Sequence, residues 1–468
     1  MQLKSGSHIH LMGICGTAMG GLAGMLKEMG YKVTGSDQNV YPPMSTQLEE
    51  LGIELMEGYK RENLNPKPDF VIVGNVISRT HEEAQALLES DIPYTSLPKA
   101  IGEWIIDWRT SIVAAGTHGK TTTTSMMSWI AEVCGKKPGY MIGGRPVNFS
   151  KSFKLPGGDY YVIEGDEYDT AFFDKVPKFI HYKPKNVILT SVEFDHADIY
   201  RDLNHVKEAF YTLMDIIPED GILVCFAEDN NVMEIKEKAA CKKVLTYGFE
   251  KGDYRAENVQ IFEEFCTFDV LFLGEKITTI QLPVFGQHNI ANALSVFALT
   301  EAMGWERSDV LEGFKSFKGV KRRQEIIGKP NGITVIDDFA HHPTAVKLTL
   351  NSIKERYKKR KTFAVFEPRS ATSRRNIFQQ DYLDAFIGDW TVVIAKPFNQ
   401  TNIPKEEQFS SEKLIDDLKK SGTSCHLSTS TDDIVSYLKQ NSQPNDVILI
   451  MSNGGFDGLY QKLLKELG

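Results

Sequence analysis

Short apolar runs alternate with longer stretches of helical periodicity over the first part of the chain. The runs His8–Gly13, Tyr31–Ser36 and Phe70–Val76 predict strands, and Met19–Met29 predicts a helix between the first two. A connecting stretch with a short helix is predicted at Pro98–Trp108. Strands that alternate with helices are typical of a parallel sheet. The first part of the chain is therefore expected to form an α/β domain.

A second series of apolar runs begins with Ser111–Ala115 and predicts another sheet. Its later strands are predicted at Tyr160–Ile163, Asn186–Thr190 and Gly221–Cys225. Across Glu257–Leu282 the pattern changes to short alternating runs, which are typical of antiparallel strands. A long apolar helix is then predicted over Asn289–Met303.

A third series begins near Lys321 and again has polar or glycine-containing loops after each apolar run. Its strands are predicted at Thr334–Ile336, Thr362–Phe366, Thr391–Ile394 and Asp446–Met451. The predicted fold class is therefore α/β with three domains, over residues 1–107, 108–321 and 322–468. We expect the N-terminal and C-terminal domains to be Rossmann-like.

Composition narrows the class of protein. A chain of 468 residues has room for about three domains of ordinary size. The net charge of −9, without a basic stripe, argues against nucleic acid as a partner. No apolar run approaches the roughly 20 residues that span a bilayer, and no signal-peptide pattern opens the chain. Six scattered cysteines without a C-x-x-C pair favour free thiols, so we expect a cytoplasmic enzyme that does not bind membranes.

The segment Val113–Thr124 (VAAGTHGKTTTT) carries the strongest chemical signal. A strand, a glycine turn and a helix start present backbone N–H groups to phosphate oxygens. Lys120 is suited to the β- and γ-phosphates and the Thr121 hydroxyl to Mg²⁺, although the full P-loop pattern has a glycine where Ala114 stands. A plain structural turn is the alternative. The predicted nucleotide-binding residues here are Gly116, Thr117, His118, Gly119, Lys120, Thr121 and Thr122, which makes the central domain a P-loop-type ATPase domain.

The opening segment HLMGICGTAMGG is similar to a dinucleotide fingerprint, with an acidic residue after the second strand. Cys15 stands where a second glycine would let the backbone approach a pyrophosphate. We therefore favour a loop for a nucleotide-sugar diphosphate over one for NAD, and tight packing is the third alternative. The predicted substrate residues are Gly13, Cys15, Gly16, Thr17 and Asp37.

Several side chains follow strands of the predicted central sheet and could reach the phosphates. Glu164 in VIEGDEYD and His196 in FDHAD are suitable metal ligands. A helix-terminus charge and a buried, satisfied ring are equally open alternatives. Asn289 and Asn292 lie three apart and could contact an adenine edge, but asparagine is also a common N-cap.

Two basic segments suggest anion recognition. In KRRQE, over 321–325, an arginine could meet a γ-phosphate from the domain junction. The planar guanidinium forks of Arg369, Arg374 and Arg375 in EPRSATSRR suit an acidic substrate, although a surface charge run is the alternative. The segment DDFAHHP, over 337–343, lacks the spacing of a zinc motif, so we interpret it as a loop next to phosphate and metal rather than as a dedicated metal site.

Taken together, these segments resemble the Mur ligase family of ATP-dependent peptidoglycan enzymes. The matching segments, in chain order, are GICGTAMGGLA, GTHGKTTT, VIEGDEYD, EFDHAD, HNIAN, RRQE and DDFAHHPTA. The resemblance covers nearly the whole chain and implies UDP-binding, ATP-binding and amine-substrate-binding domains, in that order. It implies ATP and Mg²⁺ as cofactors and an acyl-phosphate intermediate. The segments YDTAFFDK, FDHADIY, EPRSAT and MSNGGF favour members that add a tripeptide over members that add L-alanine.

The resemblance also implies roles for individual residues. Thr121, Glu164 and His196 are similar to metal ligands of the family, and Asn292 to its adenine contact. Arg323 resembles the arginine that reaches the γ-phosphate. The implied catalytic residues are Lys120, His196, Arg323, Asp338 and His341.

The implied substrates are UDP-N-acetylmuramate and the tripeptide L-Ala-γ-D-Glu-meso-diaminopimelate, joined during peptidoglycan recycling by a monomer or weak homodimer. An L-alanine-adding ligase is the alternative within the family, and an NAD-dependent nucleotide-sugar oxidoreductase is the alternative from another class. One departure concerns a carbamylated lysine that several Mur ligases carry. Phe210 and Tyr211 occupy that neighbourhood and Lys207 is out of phase, so we predict no carbamate.

Overall fold

The N-terminal domain is built on a parallel sheet in the order β3-β2-β1-β4-β5. A computed structural model describes residues 4–40, 44–197 and 199–468. The strands are β1 (His8–Met12), β2 (Lys32–Asp37), β3 (Glu54–Glu57), β4 (Phe70–Val73) and β5 (Tyr94–Ser96). The helices are α1 (Thr17–Glu28), α2 (Met44–Glu50), α3 (Glu82–Glu89) and α4 (Leu97–Ala100). Parallel pairing of β1 with β2 and β4 brings their carboxyl ends to one edge, where the first glycine loop lies.

The central domain has a ten-stranded sheet in the order β17-β16-β15-β14-β13-β12-β6-β9-β7-β8. Its first strands are β6 (Thr110–Ala115), β7 (Gly139–Met141), β8 (Phe153–Lys154), β9 (Tyr160–Gly165), β12 (Asn186–Leu189), β13 (Ile222–Phe226) and β14 (Lys243–Gly248). A separate hairpin consists of β10 (Asp169–Ala171) and β11 (Asp174–Pro177). An antiparallel edge consists of β15 (Tyr254–Ile261), β16 (Cys266–Phe272) and β17 (Glu275–Leu282). The helices are α5 (Lys120–Val133), α6 (Leu203–Ile216), α7 (Asn230–Ile235), α8 (Gln287–Ala302) and α9 (Arg307–Lys315).

The C-terminal domain has a six-stranded sheet in the order β18-β19-β23-β20-β21-β22, parallel except at β18. The strands are β18 (Glu325–Gly328), β19 (Thr334–Asp338), β20 (Thr362–Phe366), β21 (Thr391–Ala395), β22 (Cys425–Ser428) and β23 (Val447–Met451). The helices are α10 (Pro343–Arg356), α11 (Gln379–Phe386), α12 (Ser411–Lys420), α13 (Thr431–Asn441) and α14 (Leu459–Glu466). The strands β19, β20, β21 and β23 are buried along their whole length because helices cover both faces of the sheet.

Part of the glycine-rich opening segment serves packing between domains. A Cβ atom at Gly24 of α1 would lie 2.3 Å from Cζ of Phe153, which is on β8 of the central domain. Gly21 faces the same ring. Gly21 and Gly24 therefore let a phenylalanine of the central sheet approach the helix backbone closely.

The predicted α/β fold with three domains is confirmed, including the antiparallel strands expected across residues 257–282. Three acidic residues differ from the prediction: Asp37, Glu164 and Asp338 lie within strands, whereas the sequence placed them in the loops that follow. Parallel pairing continues through these positions and keeps them extended. The strand predicted at Phe70–Val76 ends at Val73. Within the described ranges, no helix has the length and apolar character to span a bilayer.

Candidate active site

A cavity of about 900 Å³ opens between the central and C-terminal domains. The loop after β6, the end of β9, the loop after β12 and the start of α8 form its central-domain wall. Residues next to β18 and after β19 form its C-terminal wall. The sequence-predicted residues that line it are Thr117, His118, Gly119, Lys120, Thr121, Thr122, Glu164, His196, Asn289, Asn292, Arg323, Asp338 and His341.

Two glycines shape the phosphate-binding loop between β6 and α5. Gly116 has φ +126°, and a Cβ there would lie 2.3 Å from Thr190 Oγ1. Gly119 has φ +84°, and a Cβ there would lie 2.7 Å from Asn292 Oδ1. Only glycine accommodates both the conformation and the space. Ala114 is a buried strand residue paired with Glu164, so the position that departs from the full P-loop pattern lies before the loop begins.

Lys120 is held at the loop by two kinds of acceptor. Its ammonium donates to Gly116 O at 2.7 Å and to Glu167 Oε2 at 2.9 Å. Burial works to lower the pKa of Lys120, but the carboxylates of Glu167 and Asp166 outweigh it and raise the pKa above its ordinary value. The side chain therefore carries a positive charge beside the loop that is suited to bind phosphate.

Glu164 and Thr121 bring two oxygen atoms together at the cavity floor. The Thr121 hydroxyl donates to Glu164 Oε2 at 3.0 Å, and the Gly143 N–H donates to the other carboxylate oxygen. Burial raises the pKa of Glu164 above its ordinary value, although these donors oppose the shift. Glu164 is thus a strand-end carboxylate that lines the cavity, which differs from the helix-terminus alternative.

His196 faces the same cavity from the loop after β12. Its Nε2 lies 3.3 Å from Glu167 Oε1, and its ring lies 4.3 Å from the ring of Tyr168. Burial acts to lower the pKa of His196, but Glu167 and Asp195 raise it above its ordinary value. The residue has φ +55°, an uncommon conformation that this loop imposes. Asp198, at the end of the FDHAD segment, lies outside the described residues.

The two asparagines lie within the first turns of α8. Neither caps the helix, because Gly286 is the N-cap residue. Asn289 donates from its amide to Phe285 O at 2.7 Å, and Asn292 packs against Gly119. Asn292 therefore links α8 to the phosphate-binding loop, and both residues border the cavity.

Consecutive arginines at the domain junction face different surroundings. Arg322 and Gln324 have φ of +60° and +51°, which turns the chain sharply on either side of Arg323. Arg322 pairs with Asp337 at 3.1 Å and donates to backbone carbonyls of the C-terminal domain. Arg323 lines the cavity, with its guanidinium 5.2 Å from the ring of Phe339.

Asp338, the last residue of β19, links this junction to the C-terminal sheet through hydrogen bonds from backbone N–H groups. Its Oδ2 accepts from the Gln324 N–H at 2.8 Å and its Oδ1 from the Ala340 N–H at 2.7 Å. Burial raises the pKa of Asp338 above its ordinary value, with Arg323 acting in the opposite direction. This geometry gives Asp338 a part in positioning Arg323, while His341 borders the cavity on the same side.

A cluster of His118, Glu193 and His342 crosses the gap between the two domains. Nε2 of His118 lies 3.4 Å from Glu193 Oε2, and Nδ1 of His342 lies 3.6 Å from the same oxygen. Burial lowers the pKa of His342 to about 4. Burial works to raise the pKa of Glu193, but the hydrogen bond from His118 and further favourable contacts bring it to about 2.

The predicted substrate residues of the N-terminal loop lie together, outside this cavity. The N–H of Cys15 donates to Asp37 Oδ2 at 2.9 Å, and the Gly13 N–H donates to Ser36 O at 2.8 Å. Gly16 is the N-cap residue of α1, and Thr17 is its first residue. The five predicted substrate residues are thus brought together at the carboxyl end of the N-terminal sheet.

The three arginines after β20 also lie outside the cavity. Nη1 of Arg369 lies 3.3 Å from Glu367 Oε1, and its guanidinium carbon lies 3.7 Å from the centre of the Phe398 ring. Arg374 donates to the carbonyls of Ser370 and Asn399, and Arg375 pairs with Glu407. Neighbouring groups thus engage all three guanidinium groups, and the role of Arg369, Arg374 and Arg375 in binding an acidic substrate stays a prediction.

The neighbourhood of the family's carbamylated lysine has a different composition. Phe210 and Tyr211 both lie on α6. The Phe210 side chain is fully buried in the core, and the Tyr211 hydroxyl donates to Glu234. Lys207 pairs with Glu234 at 2.7 Å, outside the cavity. The side chain of Lys207 is thus directed to a carboxylate on α7, and the absence of a carbamate stays a prediction.

Three domain descriptions match the chain in order. They are "Mur ligase family, catalytic domain" over residues 8–109, "Mur ligase middle domain" over 114–300 and "Mur ligase, glutamate ligase domain" over 322–454. The chain belongs to the Mur ligase family. It is therefore an ATP-dependent, ADP-forming ligase, and the alternative of an NAD-dependent oxidoreductase is wrong.

Named relatives of this ligase fall into two groups. The UDP-N-acetylmuramate–L-alanyl-γ-D-glutamyl-meso-2,6-diaminoheptandioate ligase of Escherichia coli K12 is 40% identical, over 98% of both chains. A murein peptide ligase from Psychrobacter arcticus is 36% identical, with a TM-score of 0.72 over 99% of both chains. The UDP-N-acetylmuramate–L-alanine ligase of Clostridium tetani is 33% identical, over 97% of this chain and 96% of its own.

The polar residues of the site that sequence reasoning missed include Glu167, Glu193, Asp195 and His342. All four lie within the segments VIEGDEYD, EFDHAD and DDFAHHP. The signal that could have found them is their proximity to strand ends, where several acidic and histidine residues occur together. Their individual directions depend on loop geometry that the pattern does not encode.

Proposed function

We propose that this ligase joins L-Ala-γ-D-Glu-meso-diaminopimelate to UDP-N-acetylmuramate with ATP, in peptidoglycan recycling. The observation that carries the proposal is the 40% identity, over nearly the whole chain, to a ligase named for that tripeptide. The L-alanine ligase is the second candidate, and its named relative is 33% identical over a similar length. The two candidates share the acid substrate and differ in the amine.

Nucleotide binding is assigned to the cavity between the central and C-terminal domains. The glycine loop and Lys120 are suited to the phosphates, and Arg323 approaches them from the domain junction. Asn289 and Asn292 are suited to the adenine end because they lie on the helix that borders the loop. Phosphoryl transfer depends chiefly on positioning and charge neutralisation, which this set of cations and N–H donors can supply.

The residues present fit Mg²⁺ at the cavity floor. Thr121 and Glu164 bring a hydroxyl and a carboxylate oxygen within 3.0 Å, and oxygen is the donor that Mg²⁺ prefers. His196 is the third assigned ligand and faces the same cavity. When bound, Mg²⁺ supplies neutralisation of phosphate charge.

The proposed reaction has two steps. An oxygen of the lactyl carboxylate attacks the γ-phosphorus, the bond to the bridging oxygen breaks, and ADP leaves. The tripeptide's free amine then attacks the acyl carbon, loses its proton, and expels inorganic phosphate. Lys120 and Arg323 hold the phosphate groups, because a carboxylate and a triphosphate otherwise repel each other. His341 borders the cavity where the acyl phosphate is expected.

The remaining assignments concern the substrates and the domains. UDP is assigned to the N-terminal loop, whose substrate residues are Gly13, Cys15, Gly16, Thr17 and Asp37. The three arginines after β20, Arg369, Arg374 and Arg375, keep the proposed role in binding the acidic peptide. We keep the boundaries after residues 107 and 321, since each sheet lies within one of the three resulting ranges. A cytoplasmic location is proposed from the six cysteines, all of which are free thiols.

One assay separates the two candidates: phosphate release from ATP with UDP-N-acetylmuramate and, in turn, L-alanine, the dipeptide and the tripeptide. We expect release with the tripeptide at a rate at least tenfold above that with L-alanine. The Lys120→Ala variant should lose release with every amine, because the phosphates lose their cation. Release that depends on L-alanine alone would overturn the proposal.

A further inference from the structure

We propose that His118, Glu193 and His342 form a binding site for a divalent transition-metal cation, with Zn²⁺ as the best-fitting ion. His118 lies in the phosphate-binding loop and Glu193 in the loop after β12. His342 is the N-cap residue of α10 in the C-terminal domain. The site therefore draws its ligands from two domains. It rests on side-chain geometry and does not depend on the proposed tripeptide reaction.

The distances between the donor atoms fit one ion. The Glu193 oxygen lies 3.4 Å from His118 Nε2 and 3.6 Å from His342 Nδ1, and all three donors lie within 4.8 Å of one another. Bonds of about 2.0–2.1 Å in a tetrahedral shell place neighbouring ligand atoms about 3.3–3.4 Å apart. The widest separation, at most 4.8 Å, must therefore close by about 1.4 Å for all three donors to bind one ion.

Neighbouring groups already orient the proposed ligands. Nε2 of His342 lies 3.3 Å from Phe194 O, a distance at which that nitrogen can donate to the carbonyl and leave Nδ1 for a metal. Such a contact to a backbone carbonyl is common for ligating histidines. The Thr344 hydroxyl donates to Glu193 Oε2 at 2.7 Å. The Thr344 N–H lies 3.4 Å from Nδ1 of His342, a long contact that an ion would displace.

The donor set selects the kind of cation. Two imidazoles and one carboxylate suit Zn²⁺ or Co²⁺, whereas Mg²⁺ favours oxygen donors such as those of Thr121 and Glu164. All three proposed ligands line the cavity, so the fourth position faces it and accepts water or a phosphate oxygen. The two sites therefore differ in both position and chemistry.

An ion at this site would tie the phosphate-binding loop to the C-terminal domain. Domain opening would then require a metal–ligand bond to break, in addition to the existing hydrogen bonds. Zn²⁺ is therefore expected to raise the unfolding temperature and to slow turnover, even in excess Mg²⁺.

The test is a Co²⁺ titration of the full-length, metal-stripped protein in excess Mg²⁺, followed by visible absorption. We expect one Co²⁺ per chain with the intense bands of a four-coordinate N/O site, which Zn²⁺ then abolishes. His118→Gln and His342→Gln should each reduce the affinity for Co²⁺ at least tenfold. His426→Gln is the matched control, since His426 lies 3.6 Å from Asp433 outside the cavity and its loss should leave the spectrum unchanged.

Two results would overturn the proposal. One is the absence of stoichiometric bands in the unmodified protein, and the other is retention of the bands in both His118→Gln and His342→Gln. Circular dichroism checks that each variant folds, and if one fails, the other variant and the unmodified protein decide. The spectrum requires no substrate, so a protein without tripeptide ligase activity could still bind Co²⁺, and the two proposals fail independently.

Discussion

At the scale of single residues, Glu167 holds two functional side chains with one carboxylate. It accepts from Lys120 at 2.9 Å and lies 3.3 Å from His196 Nε2, and it is almost fully buried. We expect its carboxylate to compete with a nucleotide phosphate for the Lys120 ammonium, because both are anions that pair with the same cation. Under the proposed assignment, we expect nucleotide binding to include an exchange of partners at Lys120.

We predict that Glu167→Gln destabilises the ligand-free protein by about 3 kcal/mol, because one partner of a buried ion pair is lost. ADP should then raise the unfolding temperature more in the variant than in the unmodified protein, since phosphate replaces the missing carboxylate. Thermal unfolding with and without ADP measures this difference. Glu234→Gln, which removes the partner of Lys207 outside the cavity, is the control. An equal ADP response in all three proteins would contradict the exchange.

The sequence predicted the segment around Glu167 but not the residue. Glu164, Asp166 and Glu167 occur within one short acidic stretch. The strand ends at Gly165, so the alternation of strand side chains assigns Glu164 to one face of the sheet. It does not predict where the side chains of Asp166 and Glu167 point. Glu167 is directed inward by the loop, where the Tyr200 hydroxyl donates to its carbonyl at 2.7 Å from a distant part of the chain.

At the scale of elements, the phosphate-binding loop is fitted to α8. The left-handed Gly119 precedes the first residue of α5 and contacts Asn292, which lies far along the chain. The motif itself was predicted from sequence because strand, glycine turn and helix are local. The contact with Asn292 could not be predicted, since it depends on how α8 packs against the central sheet.

We predict that Gly119→Ala weakens ADP binding at least tenfold, because its Cβ would lie 2.7 Å from Asn292 Oδ1 and displace the loop. The left-handed conformation costs an alanine about 1 kcal/mol in addition. Gly135→Ala, at the other end of α5, is the control because Gly135 has φ +68° and open space around it. Calorimetric titration with ADP compares the two variants. Similar losses in both would show that the contact with Asn292 is unimportant.

At the scale of the whole molecule, the cavity exists because two domains meet. The C-terminal domain contacts the loop after β12 through Thr372, Thr344 and His342. The periodicity of each segment predicted the separate sheets, but it contains no information about which sheet edges face each other. The basic segment at the domain junction suggested a site shared by two domains, and the resemblance to the family supported it, but neither predicts the contacts that form the cavity.

A buried hydrogen bond across this interface tests how far domain contact limits binding. The Thr372 hydroxyl donates to Asp195 Oδ1 at 2.8 Å, and Thr372→Val leaves that buried carboxylate without this donor. A loss of about 1.4 kcal/mol shifts the ratio of closed to open molecules about tenfold. If nucleotide binds between the two domains as proposed, it binds the closed form, and we expect the KM for ATP to rise several-fold while kcat changes little. Small-angle scattering of the ligand-free variant should show a larger radius of gyration.

The control is Thr279→Val, which removes a threonine–aspartate hydrogen bond of 2.7 Å within the antiparallel strands of the central domain. This variant should change neither the KM for ATP nor the radius of gyration. An unchanged KM together with an unchanged radius in Thr372→Val would mean that this contact does not control domain closure.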